Sequence, residues 1–170
     1  MIKTKRLKGL VRDWQYHRSR TTPIYYLSRR SVTDEQINEF IDWCLTWCEK
    51  NLGTKGGGTP TVEWEWNDRW YQQHNLLALY DREDKQIDLR IQGHRTIYNL
   101  ASTIVHEWVH YLQPTAGNWY ERWDKERGYW NNPYEIEAHY IGDLYGADCA
   151  HWAVRQMGRR KGKKAERKRA

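Results

Sequence analysis

The sequence predicts an α+β domain in which a short antiparallel sheet packs on two helices. Three observations predict it. Apolar residues recur at helical spacing over two long stretches. They alternate with polar residues over two short stretches, the second paired across a polar turn with a third short apolar run. The length of 170 residues suits one hydrophobic core rather than two.

The first helix is expected from Asp34 to about Asn51. Thr33 and Gln36, three apart, form a capping-box pair. Ile37, Phe40, Ile41, Cys44, Leu45, Trp47 and Cys48 then fall along one face. Gly53 acts as a stop signal, and residues 53–60, GTKGGGTP, read as a flexible loop. In residues 61–66, Val62, Trp64 and Trp66 alternate with Glu63 and Glu65, the pattern of a half-buried strand. Residues 76–80 and 86–91 flank a polar turn at 81–85 and predict a hairpin, with Ile87, Leu89 and Ile91 on one face.

A second helix is expected over 97–113, ended by Pro114. Ile97, Leu100, Ala101, Ile104, Val105, Trp108 and Leu112 form its apolar stripe. The opposite stripe holds Asn99, Thr103, His106, Glu107, His110 and Gln113. Residues 115–132 are rich in Trp and Tyr and suggest no element. A last helix is expected after Pro133, running to about Met157. The organisation predicted is a basic segment at 1–30, the domain at 31–157 and a disordered basic tail at 158–170.

Charge is segregated to match. Residues 1–30 carry nine Lys/Arg against one Asp, and residues 158–170 carry eight against one Glu, while the middle is acidic. The ends are therefore expected to make non-specific contacts with nucleic acid or an acidic surface, or simply to be solvated. Nothing resembles a helix-turn-helix, a zinc finger or an RNA-binding sheet. No apolar run is long enough for a signal sequence or a membrane span, and a cytoplasmic location is expected, with no membrane partner. Three cysteines cannot all pair within the chain, so free buried thiols are expected. Eleven Trp and twelve Tyr against one Phe are unusual. Trp119, Tyr120, Trp123, Tyr129 and Trp130 are read either as a wall beside the candidate site or as a small satellite core.

The chemistry is concentrated in His106-Glu107-Trp108-Val109-His110. This is His-Glu-x-x-His on a helix. Residues four apart lie on one face with Cβ atoms roughly 5–6 Å apart, so two imidazoles can converge on one zinc ion. Glu107 is offset by about 100° and reaches the same region without ligating. Catalytic zinc usually takes three protein ligands, and the third is expected downstream among Glu135, Glu137 and His139.

His-Glu-x-x-His followed by Pro133-Tyr134-Glu135-Ile136-Glu137-Ala138 resembles the gluzincin metallopeptidases, in particular small ImmA/IrrE-type and phage-encoded zincin-like proteins. The likeness spans roughly residues 76–146. It implies a small zincin-like domain whose second helix bears a ligand, and it implies that this ligand is Glu137, the Glu directly before Ala138. His139 departs from the Asn or Asp frequent at that position. Ala138 and Gly142, one turn apart, are expected to let the two helices approach closely. The implied activity is zinc-dependent peptide-bond hydrolysis of a polypeptide substrate, with Glu107 as general base for a water acidified by the metal. Oxyanion donors are sought among Tyr140, His139 and Tyr134. The rival expectation is a zinc-containing scaffold, or a virion- or nucleic-acid-associated binding protein, without hydrolytic activity.

Overall fold

A computed structural model describes residues 32–67, 69, 73–74, 76–114 and 118–167. The basic segment at 1–30 lies outside them. The described elements are helix α1 (Asp34–Asn51), strand β1 (Thr61–Glu65), the hairpin β2 (Ala78–Asp81) and β3 (Gln86–Arg90), helix α2 (Ile97–Leu112), helix α3 (Trp119–Arg127) and helix α4 (Pro133–Arg167). Short 3-10 turns at Ile91–Gly93 and Tyr129–Asn131 lead into α2 and α4.

Helix α1 begins as its capping box dictates: Thr33 Oγ1 accepts from the Gln36 amide, and the Gln36 side chain accepts from the Thr33 amide. The face with Ile37, Phe40, Ile41, Cys44, Trp47 and Cys48 is buried. In β1, Val62 and Trp64 are half-buried while Thr61, Glu63 and Glu65 are exposed. Trp64 and Trp66 donate their indole N–H groups to Asn38 and Asp34, which tie the strand to α1.

The sheet is mixed, which corrects the expectation of an antiparallel one. Its order is β1-β3-β2, with β2 antiparallel to β3 and β1 parallel to β3. The hairpin forms as its polar turn predicts, Asp81 Oδ1 accepting from the amides of Glu83 and Asp84. The remaining edge of β3 is then open, and β1 takes it in the direction set by its anchorage on α1. Strands β1 and β2 are then the two outer strands, and β2 packs against α2.

Helix α2 is the centre of the molecule. Leu100, Ala101, Ile104, Val105, Trp108 and Val109 are fully buried in one continuous core. The C-terminal part of its polar stripe, His106, Glu107, His110 and Gln113, is buried as well, while Thr103 is half-buried and Asn99 exposed; α4 crosses this face. The crossing is close where small residues allow it: a Cβ at Gly142 would lie 2.9 Å from the Ser102 carbonyl oxygen and 3.3 Å from His106 Cβ. One at Gly146 would lie 2.7 Å from Ser102 Cα. The loop at 53–60 is held rather than free. Trp108 donates to Gly53 O, and the Tyr111 hydroxyl accepts from the Lys55 amide.

Two further expectations are revised. Residues 119–127, assigned no element, form α3. Helix α4, expected to run to about Met157, extends through Arg167. The segment contains no Pro, and Lys, Arg, Glu and Ala all favour helix. Basic residues at a helix C-terminus also complement its dipole. Cys44, Cys48 and Cys149 are free and buried, as expected.

Candidate metal centre

His106 and His110 project from α2 with Nε2 atoms 3.0 Å apart. The third group brought to them is Glu135. Its Oε2 lies 3.4 Å from His106 Nε2 and its Oε1 lies 3.3 Å from His110 Nε2. The site is buried: Glu135 is 2% exposed, His110 8% and His106 9%.

These spacings can be compared with what a metal requires. Four ligands at about 2.0–2.1 Å around tetrahedral zinc are separated by edges of about 3.3–3.4 Å. The distances of 3.0, 3.3 and 3.4 Å are close to such edges. Glu135 Oε2 is also a buried carboxylate oxygen without a hydrogen bond, an arrangement that is costly in a closed core. The donor set of two imidazoles and one carboxylate is one that zinc accepts. The residues present therefore fit the ion.

Glu135 reaches this position because of how α4 starts. Asn132 caps the helix, its Oδ1 accepting from the Tyr134 amide, while its Nδ2 donates to Tyr120 O. Pro133 occupies the first helical position, where its missing N–H costs nothing. Glu135 thus lies in the first turn, where the helix dipole favours a carboxylate. Glu135, Ala138, His139 and Gly142 follow at i, i+3, i+4 and i+7, on the face that meets α2.

Glu137, the ligand implied by the family resemblance, is not brought to the histidines. It lies about 200° around the helix from Glu135. Its Oε2 instead accepts from Gln113 Nε2 at 3.3 Å. Tyr140 also points away and is 66% exposed, so it does not face the site. Tyr134 meets Gln113 through its backbone carbonyl. His139 is at the margin: its Nε2 lies 4.0 Å from Glu135 Oε2, and its ring stacks on Trp130.

Glu107 is buried beside the cluster, its Oε1 3.9 Å from His106 Nε2. Burial raises its pKa above the ordinary carboxylate range, and the nearby His106 and His110 only partly offset this. For Glu135 burial also acts upward, but the closely approaching His106 and His110 rings and the Tyr120 hydroxyl outweigh it, so its pKa is well below the ordinary value. The two carboxylates are thus driven apart by their surroundings, one toward holding a proton and the other toward permanent charge.

Two groups to which the sequence reading assigns no specific role, Tyr120 of the aromatic segment and Gln113 of the polar stripe, complete the cluster. Tyr120 of α3 donates its hydroxyl to Glu135 Oε1 and closes one side of the site. Burial first, and Glu135 second, raise the pKa of Tyr120 and likewise of Tyr129. Gln113 accepts from His110 Nδ1 at 2.8 Å. The aromatic segment is thus in part a wall of the site. Tyr120 and Tyr129 line a cavity of about 490 Å³ that also reaches His106, Glu107 and residues of β2. A second cavity of about 470 Å³ shares His106, Glu107 and Tyr129 with the first and is also lined by Ser102, Trp130, His139 and Gly142.

Comparison with known proteins finds no matching family model, no matching curated protein and no matching solved structure.

Proposed function

We propose that this chain is a zinc-dependent metallopeptidase with His106, His110 and Glu135 as metal ligands and Glu107 as general base. The observation that carries the reading is the convergence of the two imidazole Nε2 atoms and the Glu135 carboxylate at 3.0–3.4 Å, with Glu107 buried beside them. When bound, zinc would polarise a substrate carbonyl and acidify a water held next to it. Glu107 takes the proton at its carboxylate and passes it to the leaving amine, a role that a raised carboxylate pKa suits. The Tyr120 hydroxyl lines the cavity beside the cluster and, on leaving Glu135 Oε1, would supply an O–H donor for charge that develops on the substrate oxygen. An extended polypeptide fits the surroundings, because β2 is an outer strand and lines the cavity beside the cluster. No helix among the described residues is long and apolar enough to cross a membrane. That, with three free buried thiols, supports a cytoplasmic location.

The test is Glu107→Gln, assayed on unfolded or loop-rich polypeptides with and without a chelator. The substitution is nearly isosteric and removes only the basicity. Zinc content and thermal unfolding are expected to stay at wild-type level while cleavage falls by about 10²–10⁴-fold. Cleavage that survives both the substitution and the chelator overturns the reading. Zinc binding without cleavage by the wild-type protein would leave a metal-containing scaffold, with the basic ends as its contact to nucleic acid.

A further inference from the structure

Gln113 sits where α2 ends, and it is 3% exposed. Its side-chain amide has two distinct ends, and each has one kind of neighbour. The nitrogen lies 2.8 Å from the Tyr134 carbonyl oxygen and 3.3 Å from Glu137 Oε2. Both are oxygens that can only accept while the carboxylate is ionised. The NH₂ group must therefore point at them, and the amide cannot be flipped without facing oxygen against oxygen. The amide oxygen is then held 2.8 Å from His110 Nδ1. That oxygen can only accept, so Nδ1 must carry the proton.

We infer that Gln113, oriented by Tyr134 O and Glu137, is a positioning residue that holds neutral His110 in its Nδ1–H tautomer and turns the Nε2 lone pair toward His106 and Glu135. A neutral imidazole has one lone-pair nitrogen, and only the Nδ1–H form presents it at the cluster. The inference rests on the metal-centre reading for its consequence but not for its geometry. It also gives Glu137 a role one step removed from the metal. Groups that orient a ligating imidazole in this way typically change metal affinity by about 10–100-fold when removed.

The test uses the full chain with ¹⁵N-labelled histidine, at a pH high enough for His110 to be neutral. Long-range ¹H–¹⁵N correlation spectra distinguish the two tautomers without any metal present. Wild type is expected to show His110 with Nδ1 protonated. Gln113→Leu removes the acceptor and is expected to move His110 toward the Nε2–H form and to weaken zinc binding by about 10–100-fold in a competition titration. Glu137→Gln leaves an acceptor opposite the Gln113 NH₂ group, because the new side-chain amide oxygen can take the carboxylate's place and the Tyr134 carbonyl is untouched. It is expected to retain the wild-type tautomer and to bind zinc within a few-fold of wild type, roughly 1 kcal/mol or less. Nε2–H in the wild-type protein, or the same tautomer in wild type and folded Gln113→Leu, overturns the inference. So does a Glu137→Gln variant that is folded but resembles Gln113→Leu. Wild-type protein that binds no zinc but shows the Nδ1–H form defeats the metal-centre reading and leaves the tautomer assignment standing.

Discussion

The His94 and His106 clusters, both packed on α2, are similar in burial and opposite in saturation. His94 is 2% exposed, and both ring nitrogens have partners. Nδ1 donates to Arg90 O at 3.0 Å and Nε2 accepts from Thr103 Oγ1 at 2.9 Å. His94 joins the turn after β3 to the side of α2, and its neutral form is complete as it stands. About a turn further along, His106 and His110 aim nitrogens at one another and at a carboxylate, one of whose oxygens has no hydrogen bond. A fold tolerates a closed cluster for its own sake. A buried cluster of converging acceptors needs an added positive charge. Exposure alone therefore does not separate these two kinds of histidine cluster, whereas an inventory of partners does.

The comparison is broken most sharply by metal. Zinc at a thousand times its dissociation constant should stabilise the protein by about 4 kcal/mol, read as a rise in unfolding midpoint that a chelator reverses. His106→Ala should abolish that rise, and His94→Gln should leave it. Glu135→Gln should weaken zinc by more than the roughly 10–100-fold typical of an orienting group. Glu137→Gln should fall within that range or below it. Equal losses in the two Glu variants would return the third ligand to an open question between them.

Acid sharpens the comparison from the other side. Burial pushes the His94 pKa down to about 4 from its ordinary 6.5. The unfolded chain therefore binds this proton more readily than the folded one. The associated stability is complete above about pH 6.5 and is lost progressively as pH falls toward about 4, by roughly 3 kcal/mol at most. Denaturant melts of metal-free protein across that window should show the decline. His94→Gln should be less stable at neutral pH and should flatten the slope, and an unchanged slope would remove His94 from the account.

The smallest effect is expected at Tyr140. It is exposed and does not face the cluster, so Tyr140→Phe should shift stability by no more than about 0.5 kcal/mol. It should also leave zinc binding and cleavage at wild-type levels. A loss of turnover with zinc retained would restore it as the oxyanion donor and displace Tyr120.

The clusters also differ in how visible they are in the chain. His106, Glu107 and His110 can be read directly, because their spacing is local and a helix repeats every 3.6 residues. Helix α1 with its capping box, the alternation of β1 and the hairpin can be read for the same reason. Glu135 was readable in principle. It lies at i−3 from Ala138 and i−7 from Gly142, the small residues already expected to meet α2, whereas Glu137 lies off that stripe. The motif likeness pointed to one residue and the helical periodicity pointed to the other.

Short-range geometry thus governs helices α1 and α2, the start of α4, the three strands, the face of α2 that is apolar and the pair of imidazoles. Tertiary structure decided the remainder. The parallel pairing of β1 with β3, the burial of His106, Glu107, His110 and Gln113, the meeting of Tyr120 with Glu135 and the contact of Gln113 with Tyr134 and Glu137 depend on residues far apart in the chain. Their geometry depends on how α2 and α4 cross, and that crossing is set by backbone contact at Gly142 and Gly146 against Ser102. Local spacing says which side chains share a face, but only packing between elements says what that face will meet.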